Sequence, residues 1–111
     1  MDNVKNDRYY LDKIISDLKF IIQHASGKTK DEIDENEVLL DSIMFRIIQI
    51  AENNNKLSAD FKEKHSEIPW MSIKGMRNRI VHEYGEVNTY IVYDVVSNGI
   101  PDMYEKLVKI Q

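Results

Sequence analysis

The sequence predicts an all-α fold, an antiparallel bundle of four main helices with one or two short helices. Two observations support this prediction. Apolar residues recur at three- and four-residue steps over long stretches, which is the spacing of one helix face. Breakers are rare, since the 111 residues include two prolines, Pro69 and Pro101, and four glycines. A chain of this length is expected to form one domain, residues 1–111.

The first helix is predicted from about Asp7 to about His24. Gly27 then provides a C-terminal stop. Thr29 followed by Glu32 has the form of a capping box and predicts a short acidic helix after the stop. The apolar face of the first helix comprises Leu11, Ile14, Ile15, Leu18, Ile21, Ile22 and Ala25.

A second long helix is predicted from about Glu35 to about Asn55. Three consecutive asparagines at 53–55 are poor helix formers, so we expect the helix to fray or end there. Ser58 is expected to cap a further short helix that runs to about His65. The inner face of the long helix comprises Leu39, Ile43, Ile47, Ile50 and Ala51.

Pro69 suits the first turn of the next helix, because its missing N–H would be unpaired there in any case. This helix is predicted to end near Tyr84 and Gly85. Asn88 is expected to cap a last helix, which Pro101 kinks or restarts. The apolar residues of the helix after Pro69 are Trp70, Ile73, Met76, Ile80 and Val81, with Trp70 as a core anchor.

The composition is that of a globular protein, with 42% hydrophobic and 31% charged residues. The chain has no cysteine, which excludes disulfides, thiol catalysis and thiolate metal sites. No apolar run approaches the roughly 18 residues that a membrane span needs. The N-terminus lacks the pattern of a secretion signal, so we expect a cytoplasmic protein that does not enter a membrane.

Charge is unevenly distributed along the chain, whose net charge is −4. From Trp70 to His82 the charged residues are Lys74, Arg77 and Arg79, with no acid among them before the histidine. A small basic region can hold a few phosphates, but it cannot provide the footprint of a duplex-coating protein. Lys74 and Arg79 are therefore candidates for binding substrate phosphates.

Residues 77–84 combine an arginine, a histidine and a tyrosine, which suits RNA cleavage. The 2′-hydroxyl of RNA is a built-in nucleophile. His82 can take its proton or protonate the departing 5′-oxygen, and Arg77 can bind the phosphate and stabilise the transition state. The products are a 2′,3′-cyclic phosphate and a 5′-hydroxyl. Because the acids and the three histidines lack metal-site spacing, we predict chemistry with no metal and no cofactor.

The spacing of Arg77 and His82 leaves their geometry open. On an ideal helix they lie about 140° apart, whereas Asn78 and His82 share one face, which makes Asn78 a candidate supporting residue. A long arginine can lean toward the histidine, the helix can loosen before His82, or a second copy can supply its own pair. Without a family context, such residues are more often surface charge and a hydrogen-bonded histidine.

The spacing Arg77-x4-His82-x-Tyr84 resembles the signature of the HepT-like toxins, helical ribonucleases of the HEPN superfamily. Upstream, Ile50-Ala51-Glu52 resembles the family's Ile-Gly-Glu, although Ala51 replaces the glycine, which weakens any role for Glu52. Pro101 after an apolar helix also matches the family pattern. The resemblance extends in order and spacing over Glu67-Ile68-Pro69-Trp70, Ile73 and Gly75-Met76-Arg77-Asn78.

The resemblance implies a HEPN-type bundle, commonly a homodimer with two Arg/His motifs facing one cleft. It implies that Arg77 and His82 are catalytic, that Asn78 supports them, and that the protein is a metal-independent endoribonuclease toxin acting on RNA. The implied partner is an MntA-like minimal nucleotidyltransferase antitoxin, in a larger hetero-oligomer or with the homodimer alone. This partner would transfer AMP from ATP onto Tyr84, whose added charge and bulk would repel RNA.

The alternative is a non-catalytic HEPN subunit of a nucleotidyltransferase complex. Such a subunit would bind nucleotide or RNA for its partner, or serve as an adaptor. The acidic net charge and the modest number of clustered basic residues favour this alternative.

Overall fold

A computed structural model describes residues 6–81 and 86–111 of the chain. Three long helices and a C-terminal helical run form the bundle, while two further helices are short, so the predicted all-α fold is confirmed. None of the helices in these two ranges has the length and apolar character needed to cross a bilayer. The helices are α1 (Asp7–Ala25), α2 (Lys30–Glu35), α3 (Glu37–Lys56), α4 (Ala59–Lys64), α5 (Trp70–Ile80), α6 (Thr89–Asp94), a π-helical segment (Val95–Gly99) and α7 (Ile100–Val108).

Side-chain caps begin most of these helices, and the three predicted caps are confirmed. The Thr29 hydroxyl accepts from the Glu32 N–H at 3.1 Å, and the Glu32 carboxylate accepts from the Thr29 N–H at 2.9 Å, which completes a capping box. Ser58 and Asn88 cap α4 and α6 through single side-chain bonds, accepting from the Phe61 N–H and the Ile91 N–H. After α1 the chain turns at Gly27, whose φ of +79° favours glycine.

The core is built from one face of each main helix. Helix α1 packs against α3 and α7, α3 also packs against α5, and α5 contacts α6. The predicted inner faces of α1, α3 and α5 are buried apart from Ile22, Ala51 and Val81, which are half-buried. Three-residue and four-residue spacing therefore identified the face of each helix that packs inward.

One ion pair joins α1 to α3 at the edge of this core. The Arg46 Nη1 donates to the Asp17 Oδ1 at 2.7 Å, and Asp17 is only 7% exposed. The guanidinium of Arg46 also lies 3.9 Å from the centre of the Phe20 ring, which is a cation–π distance. Arg46 therefore holds the two helices together through both its charge and its planar face.

Helix α3 ends at Lys56, one residue beyond the predicted end, and the asparagines at 53–55 remain helical instead of fraying. Asn53 and Asn54 are buried, and the Asn54 Nδ2 donates to the Trp70 main-chain carbonyl at 3.2 Å. The prediction of fraying used intrinsic propensity alone, and here burial against the start of α5 overrides that propensity.

Helix α5 ends at Ile80, so the prediction that it continues to the neighbourhood of Tyr84 and Gly85 was wrong. Val81 is extended (φ −99°, ψ 122°) and forms an antiparallel bridge with Val87. The Ile80 carbonyl accepts from the Asn88 N–H at 2.7 Å. The last carbonyl of α5 thus accepts from a residue well beyond the helix.

Pro101 lies in the first turn of α7, directly after the π-helical segment. The Ile100 N–H reaches back five residues to the Val95 carbonyl. A proline has no N–H and its ring needs space at the preceding turn, so the helix widens there instead of stopping. A new α-helix therefore starts at Ile100, next to Pro101, as predicted, and it follows the π-helical segment without a break in the chain's helical course.

Candidate functional site

Helix α5 presents the predicted basic residues to solvent. Four of its side chains are buried at helical spacing and fix its rotation, namely Trp70, Ile73, Met76 and Ile80. Lys74, Arg77, Asn78 and Arg79 lie between these anchors and are all exposed. The core of the bundle therefore positions the backbone of these four residues while their side chains can reach a ligand.

Arg77 and Asn78 are in contact. The Arg77 Nη1 donates to the Asn78 Oδ1 at 3.3 Å, a long and therefore weak hydrogen bond. A guanidinium has five N–H donors, so this contact leaves most of them available for a phosphate. Asn78 was predicted as a supporting residue from its position on the helix, and it also forms a direct contact with Arg77.

His82 and Tyr84 lie outside the described residues, so their predicted roles stay predictions. The angle of about 140° between Arg77 and His82 was calculated for an ideal helix that includes both residues. Because α5 ends at Ile80, that angle does not apply to this pair. Of the three arrangements left open by the sequence, loosening of the helix before His82 agrees with this end point. The described part of the site is the basic surface on the last two turns of α5.

Lys62 of α4 extends this basic surface, and sequence reasoning did not identify it. Burial lowers the pKa of the Lys62 ammonium, and the positive charge of the nearby Lys74 lowers this pKa further. Trp70 brings the two elements together, because its indole Nε1 donates to the Lys62 carbonyl at 3.1 Å. Lys62 and Lys74 are separated by the turn at Pro69, and no periodic pattern in the sequence links them.

Arg79 lies on the opposite flank of α5 from Arg77. Two helical steps separate the two residues by roughly 160° around the axis. Arg79 lines a cavity of about 190 Å³ together with Asp94 and Asp102, between α5 and the C-terminal run. Because of the angle between them, Arg79 does not share a surface with Arg77, and the two carboxylates would repel an RNA phosphate in this cavity. Its predicted role in phosphate binding stays a prediction.

Two further features complete the survey of the site. Glu52, the acid in the segment that resembles the family's Ile-Gly-Glu, is exposed on α3. Within residues 6–81 and 86–111, no group of three or more histidine, cysteine or acidic side chains is arranged to hold a metal ion.

Chemically, the described surface can bind phosphate and stabilise negative charge. Arg77 supplies a planar fork that matches two phosphate oxygens, while Lys74 and Lys62 supply point charges. A guanidinium stays protonated at neutral pH, so Arg77 cannot serve as a general base. Proton transfer at this site therefore needs a further group, and His82 is the candidate that the sequence offers.

Comparison with known proteins shows the family. A family model described as ribonuclease HepT-like matches residues 11–110. A protein of Caldanaerobacter subterraneus subsp. tengcongensis named "Putative RNase TTE0752" is 34% identical over 106 residues, which cover 96% of this chain and 94% of that protein. A protein of Thermococcus cleftensis named "Probable ribonuclease HepT" is 32% identical over 62 residues, 56% of each chain.

No solved structure matches the chain significantly. The family model nevertheless spans nearly the whole helical bundle, including α5 and the segment that carries Arg77. The chain therefore belongs to the HepT-like ribonuclease family.

Proposed function

We propose that this protein is a metal-independent endoribonuclease and the toxin of a toxin–antitoxin pair. Family membership over residues 11–110 is the observation that carries the proposal. The exposed guanidinium of Arg77 on a rigid helix supports it, because a phosphodiester can approach Arg77 without any rearrangement of the core. In this proposal the protein acts in the cytoplasm, where RNA is its substrate.

The proposed reaction is an internal transesterification. The 2′-oxygen attacks phosphorus, the bond from phosphorus to the 5′-oxygen breaks, and the proton lost by the 2′-hydroxyl passes to a base. A second group protonates the 5′-oxygen as it departs. In a homodimer with both motifs at one cleft, His82 of each copy supplies one of these proton transfers, and Arg77 stabilises the charge on the phosphoryl oxygens.

The test is cleavage of single-stranded RNA by the purified protein in EDTA. We expect products with a 2′,3′-cyclic phosphate. Replacing His82 by alanine should lower kcat by about 10²–10⁴, the usual contribution of a general acid or base. Arg77→Lys should retain part of the activity lost in Arg77→Ala, because lysine keeps the charge and loses the two-pronged geometry.

Arg8→Ala is the matched control for these variants. Arg8 is exposed on α1, and its ion pair among the described residues is a long 3.9 Å contact with Asp12, so its loss removes an arginine without touching α5. Full activity of His82→Ala, or equal losses in Arg8→Ala and Arg77→Ala, would contradict the assigned roles.

The proposed regulation is AMP transfer onto Tyr84 by an MntA-like minimal nucleotidyltransferase. The tyrosine oxygen attacks the α-phosphorus of ATP, pyrophosphate leaves, and the phenol loses its proton. The bulky anion that results would repel RNA from Lys74 and Arg77. Co-expression with the nucleotidyltransferase should add the mass of AMP to the wild-type chain and none to Tyr84→Phe. An AMP adduct on another residue would contradict this site.

The alternative function is a non-catalytic subunit that binds RNA or nucleotide for the nucleotidyltransferase. The net charge of −4 and the small extent of the basic surface favour it. A clean, unmodified protein that binds its partner and cuts no RNA would establish this alternative.

A further inference from the structure

The end of α4 is held tightly against the first turn of α5. The Trp70 indole Nε1 donates to the carbonyls of Lys62 at 3.1 Å and of His65 at 3.0 Å. The Trp70 and Phe61 rings are also in contact, with centroids 6.0 Å apart. Because Trp70 is 9% exposed and part of the core, the backbone of Lys62 is fixed relative to α5.

With the Lys62 backbone fixed in this way, the charge of Lys74 is near enough to lower the pKa of the Lys62 ammonium. Lys74 follows Trp70 by four residues, so it lies one turn further along nearly the same face of α5. Arg77 follows Lys74 by three residues, about 4.5 Å further along the helix axis. Lys62, Lys74 and Arg77 therefore form a strip of three cations, which we call the α4–α5 strip.

Two lysines of this protein have carboxylate partners that neutralise their charge. Lys30 pairs with Asp34 at 2.6 Å and Lys106 pairs with Asp102 at 3.0 Å. In the two described ranges, neither lysine of the α4–α5 strip is paired with a carboxylate. Two like charges held together without a counterion gain free energy when an anion binds between them.

We propose that Lys62 and Lys74 together bind a backbone phosphate of the RNA strand whose scissile phosphate lies at Arg77. This inference rests on the proposed ribonuclease function and adds a second contact point to it. The burial and repulsion that lower the pKa of Lys62 agree with a site that an anion completes. A single strand fits the observations best, since three cations on an acidic protein cannot neutralise a duplex.

The experiment measures binding of the full-length His82→Ala protein to a short single-stranded RNA over a series of salt concentrations. The inactive variant separates binding from cleavage. Lys62→Ala should weaken binding roughly fivefold near 0.1 M salt and flatten the slope of log K against log salt by about 0.7, the value for one phosphate contact on a single strand. The loss should be the same for polyuridine and for a mixed sequence, because phosphate contacts carry no sequence information.

Lys64→Ala is the matched control, because Lys64 is an exposed lysine on α4 that lies two residues, and about 160°, away from Lys62. Lys62→Arg should restore both affinity and salt slope, since it keeps the charge. Folding is not at risk in either variant of Lys62, because Trp70 binds the main-chain carbonyl and not the ammonium.

Three outcomes would overturn the inference: equal salt slopes for Lys62→Ala and Lys64→Ala, no binding of RNA by any variant, or a loss confined to binding of the nucleotidyltransferase. The last outcome would assign the α4–α5 strip to an acidic protein surface. The ribonuclease proposal fails separately, through absence of cleavage by the wild-type protein, so the two failures are distinguishable.

Discussion

Asn54 on α3 donates from its Nδ2 to the main-chain carbonyl of Trp70 at 3.2 Å, and its side chain is completely buried. The contact joins the end of one long helix to the start of the next. Asn54 is a poor helix former by propensity, but here it connects two main helices. The Oδ1 of Asn54 has no hydrogen-bond partner among the described residues.

Two replacements of Asn54 should show whether its hydrogen-bond donor or its side-chain volume contributes more to the free energy of unfolding. Asn54→Asp should lower the free energy of unfolding by about 2–4 kcal/mol at neutral pH, because a buried carboxylate would face a carbonyl oxygen. The loss should decrease in acid, where the protonated carboxyl can donate. Asn54→Leu should cost only about 1 kcal/mol, since it removes the unpaired Oδ1 together with the donor.

Urea unfolding monitored by circular dichroism measures these differences. Equal losses for the aspartate and leucine variants at neutral pH would show that the hydrogen bond to Trp70 does not matter.

Trp70→Phe should loosen α4 more than it destabilises the bundle. Phenylalanine keeps much of the buried area and loses the Nε1 donor, so the Lys62 and His65 carbonyls lose a partner at a cost of about 1–2 kcal/mol. We expect faster hydrogen exchange of the α4 amides. The RNA-binding loss should resemble that of Lys62→Ala, because the side chain of Lys62 is no longer positioned.

The control for Trp70→Phe is Ile73→Val, which removes one methylene from the buried face of α5 at a cost of about 0.5–1.5 kcal/mol. It should destabilise the protein to a similar degree without changing exchange in α4. If both variants loosen α4 equally, the indole hydrogen bonds are not what holds it.

The Arg46–Asp17 pair should contribute measurably to stability although it lies near the surface. Asp17 is nearly buried and Arg46 is only partly exposed, so Arg46→Ala leaves a carboxylate without its partner and removes the contact with Phe20. We expect a loss of about 1–2 kcal/mol. Arg46→Lys should lose less, because it keeps the charge while giving up the planar stacking.

Arg8→Ala provides the comparison in thermal unfolding, since the exposed 3.9 Å pair of Arg8 and Asp12 should contribute no more than about 0.5 kcal/mol. A loss of that size or smaller in Arg46→Ala would mean that solvent screens the Arg46–Asp17 pair as well.

The sequence predicted the helices because each one satisfies a local rule. Apolar spacing identified the buried faces, and Thr29, Ser58 and Asn88 start helices where their side chains can accept from the backbone. The end of α5 was missed because Val81 is paired outside the helix, in a bridge with Val87, six residues further along the chain. Local propensity contains no information on such a contact.

The candidate site was predictable only in part for the same reason. Residue types and family resemblance pointed to Arg77, and the helical repeat alone places Arg79 on the other flank of α5. Lys62 was missed because α4 and α5 meet through the Trp70 indole, a tertiary contact across the turn at Pro69. Asp94 and Asp102 come from another part of the chain, and tertiary packing brings them to the cavity that Arg79 also lines.

The capping box at the start of α2 should make a small, assignable part of the stability depend on pH. The Thr29 N–H donates to the Glu32 carboxylate at 2.9 Å, and this bond holds the pKa of Glu32 below its ordinary value of 4.5. A carboxyl whose folded pKa is lowered stabilises the fold above its unfolded pKa. That contribution is lost as pH falls through the lower, folded pKa.

Glu32→Gln should remove this pH dependence while keeping α2 capped at neutral pH, because the amide oxygen can accept the same hydrogen bond. Glu35→Gln, at the last residue of α2, is the control and should leave the Glu32 contribution unchanged. The measurement is an NMR titration of the Glu32 carboxyl, together with thermal unfolding between neutral and acid pH. A Glu32 that titrates at or above its ordinary pKa, or a glutamine variant with the pH profile of the wild type, would show that the box does not hold in solution.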